Sequence, residues 1–251
     1  MSFNVKNKRC TIIGAARSGI AAVNTIIRLG GRAKISEFKS RDKVEGELAG
    51  LEQPSQVQVE CGGHTKAFIE DSDLIILSPG ARSDIPPVQW AKAGGIEVIG
   101  EIEFAYRLCK APIVAVTGSN GKTTTVTVIT EILKKAGRSV VLCGNIGSPF
   151  SKYVLGLTPN DIVVLEISSF QLETTVTFKP YVAVWLNFSP NHLDRHKDVD
   201  EYFQVKKRIF ANQDSSDTAV LNADQDEFKN VANELKAKRK TALIKFLRAN
   251  K

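Results

Sequence analysis

No stretch of this 251-residue chain approaches 18 consecutive apolar residues, which excludes a membrane-spanning helix. The opening residues, Met1 to Lys8, lead into a short apolar run that stops at a glycine turn, so they do not read as a signal peptide. The four cysteines (Cys10, Cys61, Cys109, Cys143) lie far apart. They form no metal-ligand spacing and no compact disulfide framework, and free thiols in the cytoplasm are the expectation. A convincing internal repeat is also lacking. Acidic residues are absent from 236–251, where Lys236, Lys238, Arg239, Lys240, Lys245, Arg248 and Lys251 stand. Those basic residues account for the whole formal net charge of +7, leaving the preceding chain formally neutral. The basicity belongs to the tail, so a nucleic-acid groove is not expected. With 43% hydrophobic and 24% charged residues, the composition is that of a globular protein.

Strand-like apolar runs alternate with helical ones throughout, which points to an α/β fold with parallel sheets. In the first part the strands are 10–13, 33–36, 73–77 and 96–98, with helices over 20–29, 88–93 and 101–109. Pro112 marks a boundary, placing domains at 1–110 and 111–251. The second part restarts the alternation with strands 113–116, 140–142, 162–165, 181–186 and 219–221. Residues 241–246 read as another strand, and the chain stops five residues later. A parallel sheet ordinarily continues through a covering helix, so a truncated second domain is expected.

The most informative segment is Thr117-Gly118-Ser119-Asn120-Gly121-Lys122-Thr123-Thr124, between an apolar strand and an amphipathic helix. Such a turn aims backbone N–H groups at a phosphate, with the positive end of the helix dipole behind them. Lys122 can reach a β- or γ-phosphate and the Thr123 hydroxyl can ligate Mg²⁺. The full G-x-x-x-x-G-K-[ST] pattern would need glycine at 116, where valine stands. The alternative is an ordinary turn with a surface lysine.

Other segments support a ligand site. Gly14-Ala15-Ala16-Arg17-Ser18-Gly19 resembles a dinucleotide fingerprint with Ala16 in place of the middle glycine, and Glu37 stands where a ribose hydroxyl could be held. A nucleotide diphosphate site and an empty helix–sheet turn both fit. Glu166 ends an apolar strand, a position from which a carboxylate holds Mg²⁺ directly or through water. The polar run 187–196 follows a buried strand and includes His192, a candidate for metal or phosphate. In a helix over 199–210, Lys206 shares the stripe of Val199, Phe203 and Phe210, while Lys207 and Arg208 turn outward. An inward lysine loses hydration and its pKa falls. On these residues alone a snorkelling side chain is the preferred alternative.

Together the segments resemble the Mur ligase family of ATP-dependent amide-forming enzymes. The resemblance is carried by 117–124, Gly144-Asn145-Ile146-Gly147, Glu166-Ile167-Ser168-Ser169-Phe170-Gln171-Leu172-Glu173, His192-Leu193-Asp194-Arg195-His196 and Lys206-Lys207-Arg208-Ile209. The Ser-Ser-Phe-Gln-Leu-Glu form resembles the branch that adds D-glutamate. The resemblance implies a Rossmann-like N-terminal domain binding UDP-N-acetylmuramoyl-L-alanine, through Gly14, Arg17, Ser18, Glu37, Ser78 and Gly80. It implies a P-loop ATPase-type central domain binding ATP through Gly118, Ser119, Asn120, Gly121, Lys122, Thr123 and Thr124. Asn145, Ser168 and Gln171 would line the substrate path. Thr123, Glu166, His192 and Lys206 would serve two Mg²⁺ ions, with Lys206 carrying CO₂ as a carbamate. Lys122, His192 and Lys206 would be the catalytic residues of a monomer, and D-glutamate the second substrate. Asn191 departs from the aspartate frequent in the family, and the family's third domain is missing. An inactive fragment, a non-catalytic UDP-sugar-binding fragment and a folylpolyglutamate-synthetase-like ligase stand as alternatives.

Overall fold

The computed structural model describes residues 3–191, 195–237 and 241–246. The chain forms two compact units. The first comprises the described residues up to Cys109 together with Ser148–Gly156 and Thr174–Val176. The second takes the described remainder of the chain from Lys110 onward. The two short segments of later sequence thus pack with the first unit, an arrangement that a single cut at 110/111 does not capture.

The first unit runs β1 (Arg9–Ile13), α1 (Arg17–Arg28), β2 (Arg32–Glu37), α2 (Glu45–Leu48), β3 (Gln58–Cys61), α3 (Lys66–Glu70), β4 (Leu74–Leu77), α4 (Pro86–Ala93), β5 (Glu97–Gly100) and α5 (Glu101–Leu108). Its five-stranded sheet has the order β3-β2-β1-β4-β5, and every neighbouring pair is parallel. β4, Leu-Ile-Ile-Leu, is buried along its whole length, as expected of a parallel strand covered on both faces. Ile12, Ile35 and Ile76 meet Val23 and Ile26 of α1 in one core, and Ile13, Ile75 and Leu77 meet Val88 and Ala91 of α4 in another. Strand order reverses at β1, so the ends of β1 and β4 flank a switch point, where open α/β sheets bind ligands. Two buried carboxylates at the start of α5 hold the later segments. Glu101 accepts from Ser151 N and Oγ at 2.7 and 2.6 Å, and Glu103 accepts from Val176 N at 2.9 Å.

The second unit runs β6 (Ile113–Thr117), α6 (Lys122–Lys135), β7 (Val140–Gly144), β8 (Ile162–Glu166), α7 (Ser169–Glu173), β9 (Val182–Trp185), α8 (Val199–Lys207), a 3₁₀ turn over Arg208–Phe210, β10 (Asp217–Asn222), α9 (Glu227–Ala237) and β11 (Thr241–Phe246). Its six-stranded parallel sheet has the order β11-β10-β9-β6-β8-β7. β6 lies between β8 and β9, so the loops after these three strands share one carboxyl edge. Asp198 caps α8, its side chain accepting from Glu201 N. The expected helix over 199–210 ends early: the chain tightens into the 3₁₀ turn at Arg208. Phe203 of α8, Phe210 and Phe228 of α9 gather on Trp185, with ring centroids 4.9, 6.3 and 4.7 Å away. This aromatic cluster fixes which face of α8 turns inward.

Candidate active site

The turn 118–121 joins β6 to α6. Gly121 caps the helix in the left-handed region (φ 78°), a conformation glycine adopts without steric cost. The turn is held from β9 and its loop: Ser119 N donates to Asn187 O (3.1 Å), Asn120 N to Asn187 Oδ1 (2.9 Å), and Ser119 Oγ to Ser189 O (2.9 Å). The amides of the first turn of α6 lack intrahelical acceptors by helix geometry, and they sit at the positive end of the dipole. Lys122 folds over the turn and donates to Gly118 O and Ser119 O at 2.8 and 3.1 Å. Burial lowers its pKa, with the charge of Glu166 acting in the opposite sense.

β6 and β8 are in register with Val116 opposite Glu166, so the carboxylate lands beside the turn. Glu166, only 2% exposed, accepts from Thr123 Oγ1 and from Asn145 Nδ2, each at 2.7 Å. Gly144 carries Asn145 into place at φ 104°; a Cβ there would lie 2.3 Å from Glu166 O. Thr123 and Glu166, both expected to serve Mg²⁺, thus lie in hydrogen-bond contact, and Asn145 joins them. A carboxylate and a hydroxyl are hard oxygen donors, a set that fits Mg²⁺. Among the described residues no group of three or more His, Cys, Asp or Glu gathers as a metal cluster.

Lys206 is 2% exposed, which overturns the snorkelling alternative. Its amine donates to Gly118 O at 3.0 Å and to Thr117 Oγ1 at 3.4 Å, and lies 4.9 Å from the centroid of the Tyr202 ring. Burial, aided by the charge of Lys122, pulls its pKa down to about 7. Of its neighbours, Arg208 is exposed as expected, whereas Lys207 is half-buried against Glu234 (2.6 Å).

His192 lies outside the described residues. Ser168 N donates to Gln171 Oε1 at 3.0 Å, bringing these two expected substrate residues together where the loop after β8 enters α7. The sequence reading assigned no role to His196, Tyr202 or Asn187. His196 is buried, meets Ser169 Oγ through Nε2 at 3.0 Å, and lies between the Phe170 and Tyr202 rings. The Tyr202 hydroxyl reaches Ser119 Oγ at 3.4 Å, linking α8 to the phosphate turn. Tyr202 sits one helical turn before Lys206, a spacing that could have signalled their contact.

In the first unit, Ser78 Oγ donates to Gly14 O at 2.8 Å across the switch point. Gly14, Glu37, Ser78 and Gly80 line a cavity of about 610 Å³. Arg17 and Ser18 do not line it; they form the first turn of α1, which begins three residues earlier than expected. Glu37 uses its carboxylate on the protein itself, accepting from Ala15 N (2.7 Å) and Lys39 N (2.9 Å). Apolar walls come from Phe38, Ile85, Pro87 and Trp90, and polar groups from Lys39, His64 and Arg82.

Comparison with known proteins agrees with this architecture. Residues 116–251 match the Mur ligase middle domain, and residues 8–100 match the Mur ligase MurD-like N-terminal domain. A UDP-N-acetylmuramoylalanine--D-glutamate ligase of Pelotomaculum thermopropionicum is 44% identical over 96% of this chain and 52% of its own length. A protein of the same name from Salinibacter ruber is 43% identical over 93% of this chain and 51% of its own. The chain thus spans about half the length of the curated relatives it matches. The structure of the UDP-N-acetylmuramate:L-alanyl-gamma-D-glutamyl-meso-diaminopimelate ligase of Neisseria meningitides superposes with a TM-score of 0.60 at 18% identity, covering 95% of this chain and 78% of that one. With both of its units matched by family domains in the family's order, the chain belongs to the Mur ligase family.

Proposed function

We propose that this chain supplies the UDP-substrate-binding and ATP-binding parts of a ligase that joins D-glutamate to UDP-N-acetylmuramoyl-L-alanine in peptidoglycan synthesis. The observation that carries this reading is the grouping of Lys122, Thr123, Glu166 and the buried Lys206 amine around one glycine turn. The names of the 44% and 43% identical relatives set the choice of substrates.

A carboxylate is a poor electrophile and must be activated. The alanyl carboxylate attacks the γ-phosphate of ATP in line, forming an acyl phosphate and releasing ADP. The D-glutamate amine then attacks the acyl carbon, loses a proton, and phosphate leaves. The amides of the turn and Lys122 hold the triphosphate and stabilise charge that develops on it. Thr123 and Glu166 would hold Mg²⁺, whose charge neutralises phosphate oxygens. Lys206, with a pKa of about 7, keeps a substantial fraction of free amine at neutral pH. Only the free amine adds CO₂, so this residue fits a carbamate, which would present an anionic oxygen pair beside the turn. The first-unit cavity, at the carboxyl ends of β1, β2 and β4, takes the UDP group.

Lys122→Ala tests the division of labour. The variant should form the acyl phosphate about a hundredfold or more slowly while binding UDP-N-acetylmuramoyl-L-alanine as wild type does. Loss of both in a natively folded variant refutes the assignment. Trapping with hydroxylamine separates a catalytic chain from a binding fragment: an acyl hydroxamate forms only if the first chemical step occurs.

A further inference from the structure

Two side-chain amides tie together three loops at the carboxyl edge of the second unit's sheet. β6 and β9 pair as far as Thr117 opposite Trp185, and Leu186 N still donates to Thr117 O at 3.0 Å. Beyond that point the chain turns at 118–121 into α6, and the backbone ladder ends. Side chains carry the pairing further. Asn187 Nδ2 donates to Asn120 O at 3.0 Å, and Asn187 Oδ1 accepts from Asn120 N at 2.9 Å. Both backbone groups of Asn120 are thus met, as they are in a hydrogen-bonded pair of strand residues. Ser119 Oγ donates to Ser189 O and accepts from Ser189 N, each at 2.9 Å.

The loop that holds the turn is itself held. Gln225, between β10 and α9, accepts from Phe188 N through Oε1 and donates to Phe188 O through Nε2, each at 2.7 Å. The Phe188 ring is buried, 4.9 and 5.3 Å from the ring centroids of Phe203 and Tyr202 on α8. Trp185 Nε1 donates to Asn187 O at 3.1 Å. Asn187 therefore presents its amide from a backbone fixed on both sides. An amide carries an acceptor and a donor on one planar group, which matches the pair that a peptide offers. Ser119 N donates to Asn187 O and Asn120 N to Asn187 Oδ1, so an incoming anion meets the N–H groups at the start of α6 instead.

We propose that Asn187 and Gln225 are positioning residues for the nucleotide. Gln225 fixes the loop 187–189, and from that loop Asn187 holds the phosphate turn so that the amides of α6 converge on the polyphosphate. The proposal rests on the assignment of ATP to this turn. A turn ordered before the ligand arrives need not be ordered at the expense of binding, so the two amides act by preorganisation. Gln225 bonds to the loop and not to the turn, and its effect on the nucleotide passes through Asn187.

The test is calorimetric binding of MgATP, inorganic tripolyphosphate and UDP to the chain, to Asn187→Leu, to Gln225→Leu and to the double variant. Asn187→Leu removes both bonds to Asn120 at nearly constant volume. It should weaken MgATP and tripolyphosphate alike by about tenfold, with UDP affinity unchanged. Gln225→Leu should weaken the same two ligands by about threefold. In the Asn187→Leu background the Gln225 substitution should have no further effect, because the two residues act in series. Additive losses in the double variant overturn the relay, as does an unchanged or raised affinity for MgATP in folded Asn187→Leu. An equal loss of UDP affinity marks general damage and overturns it too. If Asn187→Leu fails to fold, Gln225→Leu decides, since unchanged MgATP affinity there refutes the proposal. Failure of wild type to bind either MgATP or tripolyphosphate overturns the ATP assignment itself.

Discussion

Replacing Lys206 with methionine keeps a long flexible side chain in the interior of the second unit and removes its amine. The fall of the lysine pKa from the usual 10.5 to about 7 corresponds to about 5 kcal/mol of lost stability at pH values below both. Between those values the unfolded chain holds the proton and the folded chain does not. Stability therefore rises with pH across that window, and the penalty has vanished above the unfolded value. From about pH 6 to about pH 9, wild type should gain roughly 2–3 kcal/mol relative to Lys206→Met. The variant also loses the bond to Gly118 O, but that carbonyl keeps Lys122 as a donor at 2.8 Å, so about 1 kcal/mol is expected from this source. Urea unfolding in CO₂-free buffers, followed by Trp185 fluorescence in a Trp90→Phe background, reads the second unit, because Trp185 packs on Phe203 of α8 at 4.9 Å. Parallel pH profiles for the two proteins would refute the claim that burial disfavours the charged lysine.

Gly144→Ala should cost roughly 2–4 kcal/mol, since a side chain is strained at φ 104° and its Cβ would lie 2.3 Å from Glu166 O; thermal unfolding measures this. Glu166→Gln should remove the Mg²⁺ dependence of ATP binding, and titrations with and without the metal would show it; an unchanged dependence places the ion elsewhere. Burial raises the pKa of Glu101, so the folded state binds the extra proton and stability falls as pH rises through its titration. Wild type should accordingly lose stability relative to Glu101→Gln as pH is raised from the ordinary carboxylate range. Burial pushes the Cys10 thiol up to about 12, so it should resist a disulfide reagent at about pH 8 until the chain unfolds, as mass spectrometry after pulse labelling would report.

Much of the fold was legible because apolar runs flanked by glycine turns leave little choice. The strands over 113–117 and 162–166 are buried on both faces, and continuous runs such as Ile-Val-Val-Leu state that directly. The strand over 58–61 escaped notice because Gln58, Val59, Glu60 and Cys61 form a sheet edge that is half-exposed and carries no apolar run. The short helices over 66–70 and 169–173 are too brief to show a 3.6-residue period.

By itself, the sequence determined local geometry. It set where strands run, where a left-handed residue is needed at Gly121, and that a lysine would share the apolar stripe of the helix after 198. Only the tertiary structure decided the fate of that lysine. A stripe position permits snorkelling until a neighbour closes over it, and Tyr202 together with the turn at Gly118 does so. The same holds for Glu166, which becomes a partner of Thr123 and Asn145 through the order β6-β8-β7. It holds too for His64, whose Nδ1 meets Ser36 Oγ of strand β2 at 2.7 Å although the two lie 28 positions apart. Hydrogen bonds and desolvation act over a few ångströms in space, and parallel pairing brings together groups whose separation along the chain carries no trace of that proximity.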